Sequence, residues 1–332
     1  LNPQHTSHPP RVIGLISNPH SRRNRAALGK VEAIVANQPH IHHCVTRAAA
    51  DISAALQDFA ARGVNVLAIN GGDGTTAQVF TELLLQVPFE QLPAIILLPG
   101  GTTNMNVGDV GLRGGLVTAV QRLVDWSNAA SDYAEHLIRP ILKVSGAADS
   151  QPLCGMFFGT GTIINGIEYC KEHVHTLGIR DELGPGLVML RTFWGLARRE
   201  PRFSDPTPTR ITLGPRAEDS DRPVVQLVIS SLQRLFLGLY PFWGDEPGAL
   251  RCTWIEKPAR HLLRAFPALV RGRPNRHLCA DHGYFSHNAD EIRLLMDGIF
   301  TLDGEMYQAR RERGPLVIGK GGTLEFLRIP TT

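Results

Sequence analysis

Short apolar runs alternate with stretches of helical periodicity over the first hundred residues, and this alternation restricts the fold more than any other feature. Arg11 to Ser17 (RVIGLIS) reads as a buried strand, Asn18-Pro19 breaks it, and Arg25 to Ala36 is predicted to be a helix. His40 to Thr46 supplies a second strand, and Ala48 to Arg62 an amphipathic helix with Ile52, Leu56 and Phe59 on one face. Val64 to Asn70, Thr76 to Gln86 and Ala94 to Leu98 continue the pattern as strand, helix and strand. Strand alternating with helix implies right-handed crossovers and a parallel sheet covered on both faces. Such sheets bind ligands outside the carboxyl ends of their strands. That rule collects Asn18, Thr46, Asn70 to Thr75 and Pro99 to Asn104 at one edge.

Two of these strand ends are rich in glycine. The run Val64 to Ile69 stops at Asn70-Gly71-Gly72-Asp73-Gly74-Thr75. Glycine has no Cβ, so a bulky anion can approach its backbone N–H closely. A helix start adds unpaired N–H groups and positive dipole. Together they suit phosphate and suggest a user of nucleotide. An unpaired carboxylate would repel phosphate, so Asp73 needs a partner: a metal, a ribose hydroxyl, a cation, or the N–H groups of a helix start. A second loop, Leu98-Pro99-Gly100-Gly101-Thr102-Thr103-Asn104, follows the fourth strand. Two adjacent loops of this kind are much more specific than one. No Gly-x-Ser-x-Gly elbow or Cys–His signature points to hydrolysis.

A length of 332 residues suits two domains. After about Ser131 the texture changes. Leu137 to Val144, Pro152 to Phe158, Arg210 to Leu213, Val224 to Ser230 and Ala249 to Ile255 read as strands, with little helix apart from Gly186 to Arg198. Pro215 to Pro223 reads as a loop, and Gly298 to Leu302 and Thr323 to Ile329 as late strands. The expected division is residues 1–132, an α/β nucleotide-binding domain with a parallel sheet; 133–300, a β-rich domain; and 301–332, a C-terminal segment, the last two being assigned a lipid substrate and the completion of an interdomain site only by the family resemblance given below. A net charge of +3 carries no global nucleic-acid signal. Five scattered cysteines without Cys-x-x-Cys spacing fit a reducing compartment. Leu1 to Pro10 is polar and unlike a signal peptide, and no apolar run is long enough to span a bilayer. A cytoplasmic protein, peripheral at the membrane, is the expectation. Arg260 to Arg276 mixes apolar residues with arginines, as an ordinary solvated helix or a membrane-surface helix would. Gly186 to Phe203 reads as core packing or, alternatively, a lipid-entry lip. His277, Cys279, Asp281, His282 and His287 have a spacing that fits no common metal site. His42-His43 and His173/His175 read as polar surface.

The order of these motifs resembles the diacylglycerol kinase catalytic-domain family, which includes sphingosine, ceramide and bacterial lipid kinases. The resemblance rests on Asn18-Pro19, Thr46, Gly71-Gly72-Asp73-Gly74-Thr75, the Pro99 to Asn104 loop and Leu302-Asp303-Gly304-Glu305. It implies a phosphofructokinase-like nucleotide domain beside a β-sandwich-like domain. It further implies transfer of the γ-phosphoryl group of ATP to a lipid alcohol in phospholipid metabolism, with Mg²⁺. In that reading Asn18, Thr46, Gly71, Gly72, Asp73, Gly74, Thr75, Gly101, Thr102 and Asn104 meet nucleotide. Asp73 and Asp303 are linked to metal. Glu305 is the base that takes the hydroxyl proton, with Asp73 beside it in the catalytic set. A homo-oligomer is left open.

Three departures stand against the family pattern. Asn104 is followed by Met105 where the family usually has Asp. The stretch Arg139 to Val144 lacks an acid, and Pro247-Gly248-Ala249-Leu250 replaces an Asp-Gly-x-Leu segment tied to a structural metal, with Asp245 nearby but out of register. Two alternatives follow. One is an NAD kinase-like enzyme, which shares Gly-Gly-Asp-Gly-Thr; the other is a catalytically weakened nucleotide-binding regulatory member.

Overall fold

The computed structural model describes residues 10–86, 89–148, 151–173, 191–198, 200–214 and 220–330. Gly186 to Leu190 of the expected Gly186 to Arg198 helix, most of the Pro215 to Pro223 loop, and His175 lie outside these residues; residues 191–197 are helical, as expected. The chain forms two compact units, residues 1–139 with 324–332, and residues 140–323. The divisions fall later than the expected 132/133 and 300/301. The 11-residue strand β5 (Glu135–Ser145) and the 13-residue strand β15 (Leu316–Arg328) each run through a boundary.

The first unit is built on parallel strands β1 (Ile13–Ser17), β2 (Ile41–Val45), β3 (Val66–Gly71) and β4 (Ala94–Pro99). Their order is β2-β1-β3-β4, and Phe326 of β15 pairs with Ile95 beyond β4. All of β1 and β3 is buried, which is why they read as continuous apolar runs and not as alternating ones. Helices α1 (Asn24–Val35), α2 (Ala49–Ala61), α3 (Asp73–Leu85), α4 (Met105–Val110) and α5 (Leu116–Asn128) connect the strands. Helix α5 buries Leu116, Ala119, Val120, Leu123 and Val124, spaced as one helical stripe. Arg11 closes its C-terminal end, donating to the Trp126 and Ala129 carbonyls at 2.6 and 2.8 Å while its guanidinium lies 4.3 Å from the Trp126 ring centre.

The second unit is rich in antiparallel strands. After β6 (Leu153–Gly155) and β7 (Phe157–Gly161) come α6 (Thr162–His173), β8 (Thr207–Leu213), β9 (Arg222–Ser230), β10 (Leu250–Glu256) and α7 (Leu262–Leu269). Strands β11 (Tyr284–Ala289), β12 (Glu291–Leu295), β13 (Gly298–Leu302) and β14 (Glu305–Ala309) precede β15. Its core gathers Leu142, Phe158, Leu227, Trp254, Ile292, Phe300 and Ile318. The single strand expected over Pro152 to Phe158 is broken at Met156. The Met156 N–H donates to Asp303 and its carbonyl accepts from Ser230 Oγ, so neither serves a continuous ladder. The arginine-rich stretch after Arg260 is helical only over α7, with Pro267 inside it. The strand expected from Thr323 begins earlier, at Leu316.

Among the described residues, no helix is long and apolar enough to cross a membrane.

Candidate functional site

In the first unit the strand ends are level. Ser17 pairs with Val45 on one side and with Asn70 on the other; Gly71 pairs with Pro99. The loops after β1, β2, β3 and β4 therefore leave one rim. The order β2-β1-β3 makes the connections from β1 and β3 diverge, and the crevice of such a sheet lies at that point. Asn18 Nδ2 donates across it to Thr75 Oγ1 at 2.8 Å. Thr46 is held at the end of β2 by its N–H, which donates to the Ser17 carbonyl at 2.9 Å.

The glycine loop is shorter than the sequence suggests. Helix α3 begins at Asp73, with Gly72 as its N-cap, so Asp73, Gly74 and Thr75 form its first turn. That turn carries N–H groups with no helical acceptor, at the positive end of the dipole. The second loop presses against it backbone to backbone. A Cβ on Gly101 would lie 2.6 Å from Gly72 Cα, and one on Gly100 2.6 Å from Asn70 Oδ1. No side chain fits at Gly100 or Gly101.

Asn104 holds the second loop closed. Its Oδ1 accepts from the Gly101 N–H at 2.8 Å and its Nδ2 donates to the Gly101 carbonyl at 2.9 Å. Its φ of 48° is left-handed, a conformation that asparagine tolerates better than most residues. Asp73 then joins the loops. Its two carboxylate oxygens accept the N–H groups of Met105 and Asn106, both at 3.0 Å. Asp73 thus caps a helix start, that of α4 and not its own. Burial pushes its carboxyl above the usual range, and the two backbone bonds pull the other way.

Several rim residues escaped the sequence reading. Asn24, almost fully buried, donates to the carbonyls of Asn18 at 2.7 Å and Asn70 at 3.1 Å. Asn70 Nδ2 donates to Ser17 Oγ at 3.0 Å, and His43 Nε2 lies 2.9 Å from the same hydroxyl. His43, expected as polar surface, is therefore part of the support beneath the rim; burial lowers its pKa, opposed by Glu32. Asn106 is fully buried and its amide has no protein partner.

Asp303 and Glu305 belong to the second unit, on the hairpin between β13 and β14. Asp303 has φ 48° and Gly304 φ 90°, so the Asp-Gly pair makes the tight two-residue turn typical of this dipeptide. The Asp303 carboxylate is buried and accepts the N–H groups of Met156 and Phe157 at 2.9 and 3.0 Å. Its own N–H donates to the Phe157 carbonyl at 2.9 Å. Glu305, one residue past the turn, is exposed.

Among the described residues, no three His, Cys, Asp or Glu side chains form a ready cation cluster. Asp73 fits a metal carried by a phosphate ligand, because a desolvated carboxylate gains from a nearby cation. Asp303, with both oxygens on backbone N–H groups inside the protein, does not fit one. Where the expected structural-metal segment would lie, side chains staple the loop instead. Glu246 pairs with His287 and accepts the Asn288 N–H at 3.0 Å; Asn288 Nδ2 donates to the Gly244 carbonyl at 2.9 Å. A cleft of about 860 Å³ in the first unit is lined by Val64, Asn65 and Ala94 at the opposite ends of β3 and β4, away from the glycine loops.

Comparison with known proteins agrees with the motif order. Residues 12–135 match the family model of the diacylglycerol kinase catalytic domain. A solved structure described as a diacylglycerol kinase from Bacillus anthracis str. Sterne is 17% identical, covers 96% of each chain and has a TM-score of 0.57. Two more structures from that organism carry the same assignment only provisionally in their descriptions. Both are 18% identical and cover 96% of this chain, with TM-scores of 0.60 and 0.61 and coverage of 96% and 97% of those chains. At these identities the likeness speaks for the fold. No curated protein matches by sequence. The family resemblance is shown, with its sequence match over residues 12–135, and so is the fold class of a parallel-sheet α/β region followed by a β-rich one.

Proposed function

We propose that the protein is an ATP-dependent lipid kinase that passes the γ-phosphoryl group to a lipid hydroxyl. The observation that carries this reading is the contact of two glycine loops at adjacent parallel strand ends, with no room for a side chain at Gly101 against Gly72. Phosphoryl transfer asks mainly for positioning and for neutralisation of oxygen charge. N–H groups of the first turn of α3 and of the Gly100 to Thr102 loop cradle the phosphates in this proposal. Asn18 holds Thr75 in place by its 2.8 Å bond, and Thr46 borders the crevice from the end of β2. Mg²⁺ on the triphosphate would neutralise its oxygens, with Asp73 as the nearby carboxylate. Glu305 is the proposed base for the acceptor hydroxyl, a role worth roughly 10²–10⁴-fold in rate.

The test is turnover of purified protein with Mg-ATP and a panel of radiolabelled lipid alcohols in mixed micelles, with NAD as a competing acceptor. The expected result is one labelled phospholipid, lost in Glu305→Gln while nucleotide binding survives. Equal turnover by that variant removes Glu305 from the mechanism. Label in NAD alone replaces the lipid acceptor with a nucleotide one. The burial of Asp303 between two backbone donors favours a second reading, a nucleotide-binding member without transfer. Binding of ATP with no labelled product selects it.

A further inference from the structure

The loop after β9 carries the run Leu235-Phe236-Leu237-Gly238-Leu239-Tyr240, and none of these residues is fully buried. Leu237 stands at its apex, 62% exposed, with φ 56°. That left-handed conformation is costly for leucine, whereas glycine and asparagine adopt it readily. The loop is nonetheless closed on itself. The Leu235 N–H donates to the Leu239 carbonyl at 2.8 Å, and the Gly238 N–H donates to the Leu235 carbonyl at 2.9 Å. Folding alone gives no reason for leucine at such a tip, since its side chain neither fills the core nor suits the backbone. An apolar side chain held outward on a closed loop suits entry into an apolar medium outside the protein.

The loop sits against a basic, amphipathic helix. The Tyr240 N–H donates to the Val270 carbonyl, at the C-cap of α7, at 2.9 Å. A Cβ on Gly272 would lie 2.3 Å from the Phe242 carbonyl oxygen and 2.6 Å from that of Tyr240, so residues 240–242 and 270–272 touch through their backbones. Helix α7 turns Leu262, Ala265 and Leu269 into the core. Its other side carries Leu263, 62% exposed, and the exposed Pro267, spaced i, i+4. Arg264 and Arg271 lie one and four positions further on, seven residues apart, and border that apolar strip along one flank. Beside α7, Phe193 packs on Phe266 with ring centres 3.8 Å apart; the neighbouring Trp194 is exposed, with the Arg198 guanidinium 4.8 Å from its ring centre. Residues 257–276 hold six Lys or Arg and no carboxylate. Among the described residues, Lys257 is the one of the six with a carboxylate partner, Asp205 at 3.8 Å.

We infer that loop 235–240 and the outer side of α7 dock on an anionic lipid bilayer. Leu237 and Leu263 enter the acyl boundary, and Arg264, Arg271 and Arg273 meet head-group phosphates. Arginine suits that task because its forked N–H groups match phosphate oxygens. Surface docking of this kind gains both from the apolar area buried and from attraction to anionic lipid. A second copy of the chain fits poorly: a two-fold contact through this patch would set the same arginines against each other. No movement of the chain is required, since Leu237 and Leu263 already stand outside. Docking is distinct from the lipid acceptor proposed above, because it concerns the surface on which the protein rests and not the molecule it phosphorylates.

The experiment is sedimentation of the full chain, without nucleotide, with vesicles of phosphatidylcholine alone and of phosphatidylcholine mixed with phosphatidylglycerol. The protein should pellet with the mixed vesicles and stay in solution with the neutral ones, and added salt should release it. Leu237→Asn keeps the left-handed turn and removes the apolar tip. It should weaken binding by about tenfold or more and melt no lower than wild type. Arg271→Ala and Arg273→Ala should each weaken binding by about fivefold. Ile138→Ser, which removes a 65% exposed apolar side chain from β5, should bind as wild type does. Failure to pellet with anionic vesicles overturns the inference, as does binding that neutral vesicles match or that Leu237→Asn leaves unchanged. Self-association that Leu237→Asn abolishes, with no vesicle binding, assigns the patch to a second copy instead. The readout needs no ATP, so phosphorylation of a micellar lipid by a protein that ignores vesicles would sink docking and leave the kinase proposal standing.

Discussion

Asp73-Gly74 in the first unit and Asp303-Gly304 in the second are the same dipeptide in two settings. Each aspartate accepts two consecutive backbone N–H groups from a distant segment: Met105 and Asn106 in one case, Met156 and Phe157 in the other. Asp73 stands in the first turn of a helix, at a rim of glycine backbone, and keeps an exposed edge. Asp303 occupies a left-handed turn position and is 2% exposed. One carboxylate still faces a place where a ligand can reach it; the other is consumed by the fold. A short motif therefore does not assign a role. What surrounds the carboxylate does.

Truncation of the two aspartates should separate these roles. Asp303→Ala leaves two donors inside the protein unpaired and forces a left-handed φ on alanine, so unfolding free energy should fall by about 3 kcal/mol in a denaturant titration. Asp73→Ala should cost less, about 1–2 kcal/mol, because the removed charge was itself penalised by burial. A larger loss for Asp73 than for Asp303 would break the contrast.

The glycines sharpen it further. Gly101→Ala pushes a methyl against Gly72 Cα and should reduce nucleotide affinity by about tenfold or more, with some loss of stability. Gly72→Ala meets its nearest neighbour, Gly101 Cα, only at 3.6 Å and has an ordinary φ of −90°. Its stability should change by less than about 0.5 kcal/mol, while nucleotide affinity still drops. Unchanged binding in both variants would detach phosphate from the glycine loops.

The smallest effect lies beneath the rim. His43 has a folded pKa lowered from 6.5, chiefly by burial. On acidification the unfolded chain takes up the proton first, so this histidine withdraws stability as pH falls below about 6.5, down to its folded value. Above that range it contributes no slope. Thermal melts of His43→Gln should lose that part of the acid dependence, and melts parallel to wild type would remove His43 from the titrating set.

Much of the first unit was legible because its strands are apolar throughout and its loops carry glycine. The start of α3 was not, since Asp73 and Gly74 look like loop residues until Met105 and Asn106 supply a use for the carboxylate. Helix α5 has a plain apolar stripe that went unread between the louder motifs. Asn24 and Asn106 were hidden for another reason: neither lies in a glycine-rich loop, and only folding shows Asn24 bonded to Asn70 or the Asn106 amide left without a protein partner. In the second unit, Met156 could not be seen to interrupt a strand because the carboxylate that diverts it lies far along the chain. The same limit concealed His261 as a neighbour of His277 and His282.

Calorimetric titration of the full chain with Mg-ATP, beside Gly72→Ala, tests the central claim most directly. The account predicts saturable binding at one site in the wild-type protein and at least about tenfold weaker binding in a variant that melts like wild type. Heat that does not saturate, or equal affinity in the two proteins, would contradict it.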